Sequence, residues 1–297
     1  MPVQVSVIIV NYNSGQDILH CLESIYAFTQ EVDFEIIIVD NSPDDRSLRE
    51  IRAQFAEISS ISNSRNVGFG YANNQGAKNA TGDYLLFLNP DTLLVNDAIS
   101  DFYRFLEKGE KHIAACGGRL IKPDGEYAVS FGHFPTLFQQ FSDIGFRSLY
   151  KGYYNRRLSI SPPCDFSEPR PVDYLSGADI FIRKSVFDER GGFDEEYFMY
   201  YEDTDLFYRL NQAGYQAYLL PRVTVIHQES SPEKPDGSFN YTKYSMLEKS
   251  KYHYFKKHYG GFAVVLSKLF QLISLVAHWK GQYRYRLGRV AGITVRG

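Results

Sequence analysis

A chain of 297 residues with 44% hydrophobic side chains is long enough for one large domain or two small ones around a full core. Its 32 basic and 35 acidic residues leave a formal charge of -3, so no global basic field argues for nucleic acid. The three cysteines, Cys21, Cys116 and Cys164, are far apart and form no CxxC pair, which argues against a disulfide framework or a zinc site and fits a reducing cytoplasm.

The opening "MPVQVSVIIVNYN" has no basic leader before its apolar run, so no secretory signal is expected. The β-branched run over 5–10 predicts a strand. A helical pattern from Asp17 (Ile18, Leu19, Leu22, Ile25, Tyr26) and the second run "FEIIIVD" complete a βαβ unit. These runs are continuous rather than alternating, which implies burial on both faces, as in a parallel sheet covered by helices. A helix over 47–55, a weak strand in "ISSISNS", a small-residue helix over 70–80, the strand "DYLLFLN" and a helix over 98–106 follow. In the second half "AACGGRLIKPDG" predicts a strand and turn, and the aromatic, Pro- and Arg-rich stretch 132–171 predicts a long substrate-facing loop. The segment "VDYLSGADIFIRKSVF" reads as strand, turn, strand and short helix, "EDTDLFYRLNQAGY" as a helix stopped at Gly214, and "VTVIHQ" as a strand.

Near the end, "FAVVLSKLFQLISLVAHWKG" is interrupted by Lys268 and Gln271 and predicts an amphipathic helix that lies on a surface rather than a helix that spans a bilayer. Phe262, Val265, Leu266, Leu269, Phe270, Ile273, Val276 and Ala277 recur at helical spacing. Two covers fit that stripe. One is an anionic leaflet, favoured by Trp279 and the basic residues Lys280, Arg284, Arg286 and Arg289; the other is the catalytic domain or a second subunit in a homodimer.

Ligands of an open α/β sheet gather beyond the carboxyl ends of its parallel strands. Asn11 and Asn13 follow the first strand, Asp40 the second, and Asp91 the strand "DYLLFLN". Any one of these alone reads as a turn or a helix cap; three at one edge point to a ligand site. Pro90 fixes its own φ and drives Asn89 out of the α region, so the chain leaves the strand extended and presents Asp91 at a defined place. A carboxylate there suits a hard divalent cation, with His227 at the end of "VTVIH" as a second protein ligand. "NVGFGYANNQG" lacks the third glycine of a dinucleotide fingerprint, so its glycines are assigned to tight turns and close helix packing. The stretch "GGFDEEYFMYYEDTDLFYRL" sets Asp194, Glu195, Glu196, Glu202, Asp203 and Asp205 among aromatics, where an Asp could serve as a general base.

Taken together, "VSVIIVNYN", "IIIVDNS", "NVGFGYANNQGAKNATGDYLLFLNPDT", "GADIFIRKSVFDERGGFDEEYFMYYEDTDLFYRL" and "VIHQESS" resemble the family 2 glycosyltransferases, and within them the bacterial rhamnosyltransferase-like branch. The resemblance spans residues 5 to about 231. It implies a GT-A nucleotide-diphospho-sugar transferase fold, a mostly parallel central sheet flanked by helices with a C-terminal helical extension. It further implies Mg2+ or Mn2+, a donor such as dTDP-rhamnose or a UDP-sugar, inversion at the anomeric carbon, and a glycan or lipid-linked acceptor in cell-surface polysaccharide synthesis. By the same resemblance Asp40 contacts the base, Asn11 and Asn13 lie in the first nucleotide loop, and Asn89-Pro90-Asp91 stands at the DxD position with Asn replacing the first Asp. Glu202-Asp203 matches the ED motif with Asp203 as base, and His227 completes metal or diphosphate contact.

The expected organisation is a GT-A domain over 1–260, with a nucleotide half at 1–115 and an acceptor half at 116–260, then an amphipathic helix and basic tail at 261–297. A cytoplasmic enzyme with peripheral contact at the inner face of a membrane follows from it. Two other readings stand at this stage. A non-catalytic sugar-nucleotide or glycan-binding subunit would tolerate loss of the acidic pair, and a nucleotidyltransferase would want a basic loop after the first strand, where "VNYNSGQD" has neither Lys nor Arg.

Overall fold

The computed structural model describes residues 2–42, 47–159, 161–162, 164, 167–228, 240–277 and 292–294. The chain begins with strand β1 (Val5–Asn11), helix α1 (Gly15–Phe28), β2 (Phe34–Asp40), α2 (Ser47–Gln54), β3 (Ser59–Ser62), α3 (Phe69–Asn79), β4 (Tyr84–Leu88), β5 (Thr92–Leu94) and α4 (Ala98–Lys108). It continues through β6 (Ile113–Ile121), β7 (Phe131–Gly132), α5 (Leu137–Asp143), a 3-10 turn (Phe146–Tyr150), α6 (Lys151–Arg157), β8 (Arg170–Val172), β9 (Tyr174–Leu175), β10 (Asp179–Arg183) and α7 (Lys184–Glu189). Helix α8 (Glu202–Gln212), β11 (Gln216–His227), α9 (Tyr241–Tyr259) and α10 (Gly261–Ala277) complete it.

The main sheet has the order β3-β2-β1-β4-β10-β6-β11-β5, with β8 paired to β11. Strands β1 to β4, β6 and β11 run one way, and β10, β5 and β8 run against them. Strand β6 carries the chain past residue 115 inside this one sheet.

Side-chain alternation explains how continuous apolar strands build two cores. Val5, Val7 and Ile9 of β1 point into a cluster with Ile18, Leu22 and Ile25 of α1 and Phe102 of α4. Ile8 and Val10 point the other way, against Ala72 of α3 and Leu206 and Phe207 of α8. The helix packing is close where the glycines predicted it. A Cβ at Gly76 would stand 2.5 Å from Ile8 Cγ2, and one at Gly68, whose φ is +93°, would stand 2.5 Å from the Phe198 carbonyl oxygen.

The structure differs from the sequence expectation in three places. The stretch 132–171 is not one long loop: Thr136 caps α5 by accepting from the Gln139 amide at 3.1 Å, and the 3-10 turn and α6 follow directly. Strand β5 is only three residues long and has no periodicity to reveal it. Helix α9 carries charge and aromatics on every side, so no apolar stripe announced it.

Helix α10 occupies the place predicted for the amphipathic helix and packs on α9 through Val264 and Ala263 near Tyr254 and Phe255. Its predicted stripe splits: Phe262, Val265, Leu269 and Ile273 are exposed, while Leu266 and Phe270 are half-buried. The side chains of Val276 and Ala277, and Trp279, Lys280, Arg284, Arg286 and Arg289, lie outside the described residues. No helix among the described residues is long and apolar enough to cross a membrane.

Candidate active site

The carboxyl ends of β1, β2 and β4 open onto a cavity of about 860 Å³. Its wall takes Tyr12, Ser14 and Asp17 from the segment after β1, Asn41 after β2, and Asn89, Pro90 and Asp91 after β4. The segments 176–178 and 199–204, His227, and one face of α9 close it.

Asn89-Pro90-Asp91 makes the sharp exit that Pro90 demands. The Asn89 amide donates to the Ala178 carbonyl at 2.9 Å, and the Thr92 hydroxyl donates to the Asn89 carbonyl at 2.7 Å. Strand β5 then turns back antiparallel to β11, which sets His227 opposite Thr92. Asp91 and His227 therefore meet: His227 Nε2 lies 3.3 Å from Asp91 Oδ1 and 3.3 Å from Asn89 Nδ2. The Gln228 amide donates to the Asp91 carbonyl at 3.0 Å and closes the corner. Among the described residues no group of three His, Cys, Asp or Glu side chains could hold a metal alone. An oxygen and an imidazole facing one cavity fit a divalent ion that draws its other ligands from a diphosphate.

Asn11, Asn13 and Asp40, expected at the nucleoside end, sit beneath the wall rather than in it. Asn11 and Asp40 are register partners on β1 and β2, and both are buried. Asn11 Nδ2 donates to Asp40 Oδ1 at 3.0 Å, and the Ser42 amide donates to the same oxygen at 2.9 Å. Asn13 is exposed with φ at 56°, and its amide donates to the Ser42 hydroxyl at 2.7 Å. Short polar side chains tolerate that left-handed turn, and the pair of loops is thereby tied together below Tyr12 and Asn41.

The acidic segment divides into two unrelated sites. Tyr200 and Tyr201 both hold left-handed backbone, with φ at 70° and 68°, immediately before α8. Such strain persists only where the surroundings impose it. Here α9 does so: the Ser250 hydroxyl donates to the Met199 carbonyl at 2.8 Å, and the Tyr254 ring lies 5.5 Å from that of Tyr201.

The kink delivers Glu202 and Asp203 to the cavity. Asp203 Oδ2 accepts from the Gly177 amide at 3.0 Å, and Oδ1 accepts from the Thr204 amide at 2.6 Å and the Thr204 hydroxyl at 3.1 Å. Burial pushes the Asp203 carboxyl up from its ordinary value, against those bonds that pull it down. Glu202 is pushed well up by burial and then by the Asp203 charge, and its Oε2 has no hydrogen-bond partner. The bonds from Gly177 and Thr204 favour the charged form of Asp203, whereas burial and the Asp203 charge favour the neutral form of Glu202.

Asp205 and Asp194 instead face away into an ion-pair cluster. Asp205 is fully buried and meets Arg209 at 2.7 Å, Lys257 at 2.8 Å and His258 at 2.7 Å. Lys257 also bonds Asp194 at 2.6 Å. The sequence grouped all six acidic residues together because their spacing tells neither which side of α8 Glu202, Asp203 and Asp205 take nor where Asp194, Glu195 and Glu196 fall before that helix.

Sequence reasoning missed the wall built by α9. Lys243, Tyr244, Glu248 and Lys251 line the cavity, with Lys251 Nζ 2.6 Å from Glu248 Oε1 and Gln271 Nε2 of α10 donating to the Tyr244 hydroxyl at 3.0 Å. Burial lowers Lys251, opposed by Glu248.

A family model, Glycosyl transferase family 2, matches residues 6–191. N-acetylglucosaminyl-diphospho-decaprenol L-rhamnosyltransferase of Mycobacterium tuberculosis is 26% identical over 238 residues, covering 75% of this chain and 76% of that protein. Rhamnosyltransferase WbbL of Escherichia coli is 30% identical over 232 residues, covering 75% of this chain and 83% of that one. The crystal structure of GalNAc-T7 with UDP, GalNAc and Mn2+ superposes with a TM-score of 0.67 at 15% identity, covering 99% of this chain and 55% of that chain. The parallel β1–β4 edge, the Asn89-Pro90-Asp91 corner and the Glu202-Asp203 pair thus occur in a GT-A fold, and the chain belongs to glycosyl transferase family 2.

Proposed function

We propose that this glycosyltransferase moves a sugar, rhamnose or a related hexose, from a nucleotide-diphosphate donor to a hydroxyl of a glycan or lipid-linked acceptor with inversion. The observation that carries the reading is the convergence of Asp203 and the Asp91 and His227 pair on one cavity. Asp203 accepts the proton of the acceptor hydroxyl as the acceptor oxygen bonds to the anomeric carbon. The sugar's bond to the diphosphate breaks, and its electron pair leaves with the nucleoside diphosphate. Asp91 and His227 would hold Mg2+ or Mn2+, which when bound offsets charge on the leaving group. Asn89 stands beside them, and Asp40, Asn11 and Asn13 are assigned to the nucleoside end.

Residues 1–115 are assigned to the donor and 116–260 to the acceptor. The donor is taken to be dTDP-rhamnose or a UDP-sugar, and the place of work the cytoplasmic face of a membrane, with peripheral contact. Support for the donor comes from the rhamnosyltransferase names of the relatives and from the UDP in the neighbouring fold.

The test is hydrolysis and transfer with a panel of nucleotide sugars, with and without Mn2+ or Mg2+. Turnover of one donor class is expected; silence across the panel would remove the reading. Asp91→Ala is expected to abolish the metal-dependent part of dTDP or UDP binding measured by calorimetry. A metal dependence unchanged in that variant would move the ligand role away from this corner.

The pH profile follows from the Asp203 environment. A base works only when ionised, and burial raises this carboxyl. Activity is therefore expected to climb with pH through a value above the ordinary Asp figure of about 3.9 and to be lost below it. An acid limb at or under that figure in kcat/KM would contradict the assignment.

A further inference from the structure

The inner faces of α5 and α10 form cavity wall through Gln139, Asp143 and Gln271. The outer faces of α5 and α10 and the 3-10 turn present apolar side chains to solvent, and α6 beside them adds Tyr153 among basic residues. Leu149 is 79% exposed, Phe262 75% and Val265 61%, values far above those of ordinary partly covered side chains. The two parts are joined through Phe141, whose ring lies 4.8 Å from Phe146 and 5.9 Å from Phe270 of α10. One continuous surface thus runs from the turn to α10, and a contiguous apolar patch on a soluble face marks an interaction site.

Charge selects the partner. Arg147, Lys151, Arg156 and Arg157 are exposed around the apolar tips and make no ion pair among the described residues. No acidic residue occurs over 144–159 or in α10. Aromatic and aliphatic tips ringed by unpaired Arg and Lys suit an interface in which apolar groups enter the acyl boundary and cations meet anionic headgroups.

We propose that α5, the 3-10 turn, α6 and α10 together form a seat for an anionic lipid bilayer, so that the cavity behind their inner faces lies one helix layer above the membrane surface. The inference deepens the reading of a lipid-linked acceptor and rests on it for its purpose, but bilayer binding itself is independent of transfer. It also gives the segment 137–157 a role that the substrate-loop expectation did not.

The experiment is co-sedimentation of the full chain with vesicles of phosphatidylcholine and phosphatidylglycerol in equal parts, without donor or acceptor. The full chain is expected to bind at low salt and release at high salt. Phe146→Asp with Leu149→Asp, and separately Phe262→Asp with Val265→Asp, are each expected to weaken binding at least tenfold. Arg156→Gln and Arg157→Gln are each expected to weaken it roughly fivefold, in step with about 1 kcal/mol per basic residue near an anionic leaflet. Transfer to a water-soluble acceptor is expected to persist in all of these variants, and Asp203→Asn is expected to bind vesicles normally, so the seat and the catalytic reading fail separately. Absence of vesicle binding, or binding untouched by the 146 and 149 changes, would overturn the proposal. So would a dimer that falls to monomer in the same variants without vesicle binding, since the surface would then belong to a second copy.

Discussion

Asp203→Asn is expected to lower the transfer rate by about 10²-fold or more, while nucleotide affinity stays near that of the unaltered protein. Removal of a general base has an effect of that scale. The substitution is close to isosteric, and the Asn oxygen can still accept from Gly177 or Thr204, so the corner of α8 keeps its shape. Single-turnover rates and calorimetric titration with the nucleotide separate the two effects. Glu202→Gln is the companion. Glu202 is buried beside Asp203 and lacks a partner on Oε2, so its surroundings favour the neutral form, which an amide imitates. Its loss in rate is expected to be much smaller than that of Asp203→Asn. Equal losses in the two variants would mean that the pair acts as one unit with the roles unresolved, and near-normal turnover in Asp203→Asn would remove it as the base.

Much of this arrangement was legible in the residues. Strands with long β-branched runs announced themselves, because burial on both faces removes every polar interruption. The Asn89-Pro90-Asp91 exit was legible for a stereochemical reason: proline restricts two residues at once and leaves the next one in a fixed place. What escaped was whatever depends on pairing across the chain. Nothing in "TLL" shows that it turns back on β11, yet that pairing is what brings His227 to Asp91.

The left-handed Tyr200 and Tyr201 have no sequence signature, since such backbone is ordinarily marked by Gly or Asn, and here a second helix enforces it from more than forty positions away. Helix α9 escaped because its buried side is largely Tyr, Ser, Lys and Glu, residues that a period of apolar positions does not register. The family match also ends at residue 191, so the wall that α9 lends to the cavity lies beyond the segment shared with the family model.

Asp205 stands two residues from Asp203 and is expected to respond in the opposite sense. Burial alone would raise its carboxyl, but hydrogen bonds from His258 and Lys257 and the charge of Arg209 outweigh that and hold it well below the ordinary range. A carboxyl depressed in the folded protein contributes stability that is full above about 3.9 and is lost as pH falls toward the depressed value. Asp205→Asn removes the anion and leaves Arg209, Lys257 and His258 crowded round a neutral amide. Breaking a buried pair in this way costs about 3–5 kcal/mol. Urea unfolding at neutral pH is expected to show a midpoint lowered to match, with the difference from the unaltered protein shrinking as the pH is brought below 3.9. Asp203→Asn, by contrast, takes away a charge that its surroundings disfavour, so its stability is expected to be unchanged or higher while its activity collapses. Proteins commonly give up stability at a working site in that way. If Asp205→Asn unfolded at the same urea concentration as the unaltered chain, the cluster would be surface-like in energy despite its burial. The clamp that α9 places on the kink at Tyr200 and Tyr201 would then rest on Ser250 and Tyr254.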